Sequence, residues 1–172
     1  MSDTLLRTAR FTVERRTYDH PVSGRLTREM VAHPGAVAIV PLLAPDRVVL
    51  IRNYRFTVGR ELLELPAGTL EPPEPPIACA ARELEEETGY VAGRLEPLCE
   101  FYTSPGFTNE RMYVFVATDL KAGTQKLEAS EQIRIEIMPL SEALAATADG
   151  RIVDAKTIAA LHISHYRKGR DR

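Results

Sequence analysis

The chain has 172 residues, 44% hydrophobic and 27% charged, with 22 Lys plus Arg against 24 Asp plus Glu and a net charge of −2. That length suits one domain with a sizeable core, and the balanced charge excludes both the basic footprint of a nucleic-acid binder and the charge excess of a disordered chain. No apolar run reaches the roughly 20 residues of a membrane span, the first residues hold no long apolar segment, so no secretory signal is expected, and Cys79 and Cys99 are too few for a disulfide scaffold; a cytoplasmic protein that binds neither nucleic acid nor membrane is expected.

Residues 11–18 and 25–33 favour β structure and are joined by Pro21-Val22-Ser23-Gly24, which predicts a hairpin. Pro34-Gly35 ends this part, so residues 1–34 are read as a small N-terminal β unit, too small to fold alone, and 35–172 as the main domain. Residues 36–43 form a strongly apolar strand, and 48–51 return as a second buried strand after the turn Ala44-Pro45-Asp46. A short strand is predicted at 61–65. After Pro66-Ala67-Gly68 and a proline-rich loop comes the clearest helix, from about Pro75-Pro76 to its C-cap at Gly89. Strands at 95–102, 112–118 and 133–138 follow, then helices at 139–148 and 154–168. Mixed strands with a few helices predict an α/β (α+β) domain layered as α/β/α.

Projected at about 100° per residue, the first helix places Ile77, Ala80, Ala81, Leu84 and Thr88 on a core face. Glu83, Glu86 and Glu87 fall in an adjacent arc. Carboxylates at i, i+3 and i+4 repel one another, a cost that hard divalent cations such as Mg²⁺ and Mn²⁺ relieve. Such a charge run also occurs as a plain solvated face. The longer spacing decides between the two. Five residues separate Gly68 from Glu74, and seven more lead to Arg82-Glu83-Leu84-Glu85-Glu86-Glu87-Thr88-Gly89-Tyr90. This pattern resembles the Nudix box, departing only at Tyr90, where an aliphatic residue is usual.

The resemblance implies a Nudix-type α/β/α sandwich with a mixed sheet, and divalent-metal-dependent hydrolysis of a pyrophosphate within a nucleoside diphosphate derivative. By position, it assigns Glu83, Glu86 and Glu87, with the backbone carbonyl of Ala67, to the metal. Mg²⁺ is the implied cofactor, and Mn²⁺ a substitute. Gly68 permits close approach, while Glu74 and Arg82 orient the loop and helix. A glutamate on a loop before the late strand implies Glu131 as the catalytic base, with Glu128 in reserve and Glu86 as a shared group.

Downstream, Ser104-Pro105-Gly106-Phe107-Thr108-Asn109-Glu110 puts a proline sixteen residues after Gly89. This resembles the marker of the ADP-ribose pyrophosphatase subgroup, although the same residues also make an ordinary turn. Pro105, Gly106 and Glu110 are thereby implied at the substrate, with Arg52 and Arg55 near its phosphates; either arginine could equally serve a surface ion pair. The implied reaction converts ADP-ribose, or a close ADP-sugar, to AMP and ribose 5-phosphate. A GDP-sugar or broader nucleotide-sugar pyrophosphatase is the alternative, and a non-catalytic ADP-ribose sensor is a further one. The resemblance also implies a homodimer whose N-terminal strands exchange. His162, His165 and Cys79 read as packing or solvent residues rather than as a zinc site or nucleophile.

Overall fold

The structure, a computed structural model, describes residues 2–43, 46–127 and 132–170. The chain opens with β1 (Ser2–Arg7), β2 (Thr12–His20) and β3 (Gly24–Ala32), which form an antiparallel three-stranded sheet in that order. The expected hairpin is the pair β2–β3. The added strand β1 has every residue exposed, so it lacked the alternating pattern that marks a half-buried strand.

The main sheet is built from β4 (Ala36–Leu43), β5 (Arg47–Arg55), β6 (Arg60–Glu64) and β7 (Ala67–Thr69), then, after helix α1 (Pro76–Thr88), β8 (Tyr90–Tyr102), β9 (Arg111–Ala122) and β10 (Ile133–Pro139). Helices α2 (Leu140–Ala148) and α3 (Ala155–Arg170) complete the chain. The strand order is β10-β5-β4-β9-β8, with β6 paired to β5 and β7 to β4; β4 and β9 run parallel, and the other pairs are antiparallel. No described helix is long and apolar enough to cross a membrane.

Strand β4 shows why its sequence reads as an unbroken apolar run. Val37 and Ile39 pack with Cys79, Ala80 and Leu84 of α1, whereas Ala36, Ala38 and Val40 pack with Ala143, Ala160 and Leu161 of α2 and α3. Both faces are covered, so neither tolerates polar alternation. The result is a mixed sheet between α1 on one side and α2 with α3 on the other.

Candidate active site

Proline fits the start of α1 because its missing N–H would lie among the unsatisfied donors of the first turn, and Gly89 caps the end in the left-handed region at φ 70°. The helix buries Cys79, Ala80, Leu84, Glu87 and Thr88, while Ile77 and Ala81 are exposed. The buried arc is therefore turned from the projected one toward the acidic side. Glu87 explains the turn: it is only 3% exposed, and its Oε2 accepts the Ala67 N–H at 2.8 Å. Burying a carboxylate is costly unless donors reach it, so this contact ties the helix to β7.

Strand β7, where the sequence predicted no strand, pairs Gly68 with Val37 and sets Gly68 against Glu83. A Cβ at residue 68 would overlap the carboxyl group of Glu83, so only glycine allows this approach. Arg82 gathers the surrounding carboxylates. Its Nη2 donates to Glu74 at 2.8 Å, and its Nη1 donates to Glu83 at 2.7 Å and to Glu86 at 3.0 Å. Glu74 also accepts the Glu71 N–H at 2.9 Å, which closes the proline-rich loop. The Arg82 hydrogen bond holds the Glu74 carboxyl down at about 2, and Glu74 in turn raises the Arg82 guanidinium above its ordinary value. Burial pushes the Cys79 thiol up to about 12, which makes it a packing group and not a nucleophile.

Glu83, Glu86 and Glu87 line one cleft of about 490 Å³ together with Ala67, Gly68, Arg82, Asn53, Arg55 and Arg10. Alternation along β5 separates the two predicted arginines. Arg55 faces this cleft, whereas Arg52 is absent from its lining and pairs with Glu136 of β10. Arg55 donates through Nε at 2.8 Å and Nη2 at 2.6 Å to the two oxygens of Glu64. Glu64 is fully buried, and burial alone would raise its carboxyl; the hydrogen bond from Arg55 and the charge of Lys156 outweigh that, so it sits below the ordinary carboxylate value.

Pro105 and Gly106 lie elsewhere. They line a second cavity of about 650 Å³ against the N-terminal sheet, with Tyr18, Met30, Tyr102 and Phe107. Backbone bonds from Val31 to Phe107 (2.8 Å) and from His33 to the Asn109 side chain (2.8 Å) fasten this loop to β3 and the residues after it. Glu110 lines neither cavity; it accepts from Thr103 Oγ1 at 2.5 Å beside His33, whose Nδ1 is occupied by the Gly35 N–H. Glu128 and Glu131 lie outside the described residues. The segment before them is docked on the carboxylate helix, since Gln125 Nε2 donates to the Glu87 carbonyl at 2.6 Å and the Lys126 N–H to that of Glu86 at 2.9 Å.

Three contributors escaped the sequence. Arg10 reaches the cleft from the β1–β2 turn, and nothing in a stretch rich in arginine singles it out. Asn53 was recoverable from β5 alternation. Glu64 met Lys156 across 92 residues, a pairing without a local signal.

The donor set fits a hard divalent cation: carboxylates on one helix face, a backbone strand beside them, and a glycine that leaves room for the Glu83 carboxyl. In the structure the positive charge shared by Glu83 and Glu86 is Arg82, and among the described residues no group of three ligands is closed around a metal position.

Comparison with known proteins finds a family and relatives. The family model described as NUDIX domain matches residues 32–161. The ADP-ribose pyrophosphatase of Bacillus subtilis (strain 168) is 41% identical over 136 residues, spanning 78% of this chain and 74% of that protein. The ADP-ribose pyrophosphatase of Mycobacterium tuberculosis (strain ATCC 25618 / H37Rv) is 38% identical over 167 residues, spanning 95% and 81%. A crystal structure of an ADP compounds hydrolase superposes with a TM-score of 0.84 at 28% identity, covering 99% of this chain and 93% of that one.

Proposed function

The chain belongs to the NUDIX domain family, and we propose that it hydrolyses the pyrophosphate of ADP-ribose, or a close ADP-sugar, to AMP and ribose 5-phosphate. The observation that carries this reading is the one cleft lined by Glu83, Glu86 and Glu87 together with Arg55. A diphosphate is doubly charged, so its phosphorus is open to water only where cations neutralise the oxygens.

Glu83, Glu86, Glu87 and the Ala67 carbonyl would hold Mg²⁺, with Mn²⁺ as substitute; the ion would neutralise phosphate charge and lower the pKa of water when bound. The protein's own groups supply the rest. Gly68 lets the Glu83 carboxyl approach β7, the Ala67 N–H fixes Glu87, and Arg82 with Glu74 fixes the helix relative to the loop. Arg55, whose Nε and Nη2 are held by Glu64, offers its Nη1 to a phosphate. Glu131 is proposed to take the proton from the attacking water, with Glu128 in reserve. Pro105, Gly106 and Glu110 are proposed to select the rest of the substrate, whereas Arg52, paired with Glu136 away from the cleft lining, is given no contact with it.

A homodimer with exchanged N-terminal strands is part of this proposal. Strand β1 is an exposed sheet edge carrying Leu5 and Leu6, surface that a second copy can cover. Deleting residues 1–33 should turn the dimer into a monomer by light scattering; a truncated chain that still has the mass of a dimer would exclude exchange.

The direct test is AMP release from ADP-ribose, compared with GDP-mannose and other nucleotide sugars, with Mg²⁺ and in EDTA. ADP-ribose should give the highest kcat/KM, and EDTA should abolish it. Preference for a GDP-sugar would move the substrate assignment, and binding without turnover would make the chain a sensor.

A further inference from the structure

We propose that helix α3 positions Arg55 for the substrate diphosphate through the ion pair of Lys156 with the buried Glu64, an inference that rests on the pyrophosphate reading of the cleft. Four charges alternate in a row from the start of α3 to the cleft. Asp154 accepts from Lys156 Nζ at 3.1 Å, Lys156 donates to Glu64 Oε2 at 2.5 Å, and Glu64 takes Arg55 on both oxygens. Asp154 is itself fixed by the first turn of α3, where it accepts the Thr157 N–H at 3.0 Å and the Thr157 hydroxyl at 2.6 Å. The backbone N–H of Leu65, next to Glu64, donates to the same Thr157 hydroxyl at 2.8 Å.

Stability does not call for such a row. A buried ion pair gains little over well-packed apolar residues of the same volume, because desolvation cancels most of the attraction. Geometry at the cleft does call for it. Glu64 uses the Nε and one Nη2 hydrogen of Arg55, which fixes the plane of the guanidinium and leaves Nη1 for an anion in the cleft. Lys156 acts on this in two ways. It stops the Glu64 carboxylate from rotating, and it takes part of its negative charge, so that Arg55 is held without being fully neutralised. Glu64 and Lys156 are thus positioning residues, acting on the substrate only through Arg55.

The test is a double-mutant cycle read on binding of inorganic pyrophosphate by calorimetry, so it does not depend on which nucleotide sugar is the substrate. Lys156→Met should weaken pyrophosphate binding by about 5- to 10-fold and raise KM for ADP-ribose to the same extent, with kcat within about twofold. In an Arg55→Ala background the same substitution should change neither value. Glu64→Gln gives a second cycle that keeps the side-chain volume, should Lys156→Met fail to fold. Equal losses in both backgrounds, or no loss in a folded Lys156→Met or Glu64→Gln protein, would overturn the inference, as would a wild-type chain that does not bind pyrophosphate. Intact coupling in a chain that leaves ADP-ribose untouched would instead overturn the substrate assignment and leave the positioning role standing.

Discussion

Gly68→Ala separates the site's geometry from the fold's stability. The glycine does not sit in the left-handed region, so alanine meets no backbone strain there. Its Cβ would nevertheless fall far inside the 3.0 Å limit of real Cβ contacts, overlapping the Glu83 carboxyl carbon and both oxygens. Ordinary carbon contacts are about 3.5–4.0 Å, so the carboxyl must retreat by more than about 1 Å. It is the far end of a flexible side chain, and an off-rotamer torsion costs about 0.5–1.5 kcal/mol. At 2–4 °C per kcal/mol for a domain of this size, Tm should fall by no more than about 6 °C, and the protein stays almost wholly folded. The catalytic consequence is much larger. Displacing a reacting group by about 1 Å costs on the order of 100-fold, or about 2.7 kcal/mol of transition-state stabilisation. Thermal unfolding by circular dichroism, AMP release and Mn²⁺ affinity measured together decide the matter. A folded Gly68→Ala protein with wild-type kcat/KM and metal affinity would refute the proposed placement of Glu83; loss of the fold would show that the Glu83 carboxyl cannot retreat.

Other substitutions probe the remaining parts. Glu87→Gln keeps an acceptor for the Ala67 N–H and removes one of three crowded charges, so turnover should vanish while metal-free Tm stays level or rises; full activity in this variant would falsify the metal role. Glu74 is held at about 2 against an ordinary 4.5, so its contribution is present above pH 4.5 and is lost as pH falls toward 2. Urea unfolding between pH 5 and 2 should accordingly show a shallower acid loss in Glu74→Gln than in the wild type, and parallel profiles would count against the Arg82 pair. Thr157→Val leaves the buried Leu65 N–H without its acceptor and should cost about 1–3 kcal/mol in the same unfolding assay; an unchanged midpoint would remove this link from the fold. Glu131→Gln should lower kcat by about 100-fold with little change in KM, and Glu128→Gln should do less; the reverse order would exchange their roles.

How far the sequence could be read follows from where the information lies. The apolar runs at 36–43 and 48–51 announced β4 and β5 because strands covered on both faces must be apolar throughout. Pro75-Pro76 and Gly89 bounded α1 because cap chemistry is local. Strand β8 begins at Tyr90, five residues before the expected start, since Gly93 interrupts the pattern while pairing with β9 sustains the strand. Strand β7 has only three residues, too few for any period, and exists because β4 offers it an edge.

The site divides along the same line. Glu83, Glu86 and Glu87 could be grouped from one helix's periodicity, because 3.6 residues per turn fixes their common side before any tertiary contact forms. The same calculation put Ile77 and Ala81 in the core, where neither lies, since periodicity gives relative angles and only packing gives the absolute rotation. What sets that rotation is the burial of Glu87 against Ala67, an interaction twenty residues long in the chain that spends a carboxylate on the interior face. Arg55 repeats the point at longer range. Its place on β5 distinguishes it from Arg52 by alternation, yet its fixed orientation depends on Glu64 and on Lys156 a hundred residues away. A motif therefore carries the chemistry of this cleft, whereas the aim of its charged groups is decided by buried pairs that join distant segments, and substitutions at those pairs should change substrate affinity before they change the chemical step.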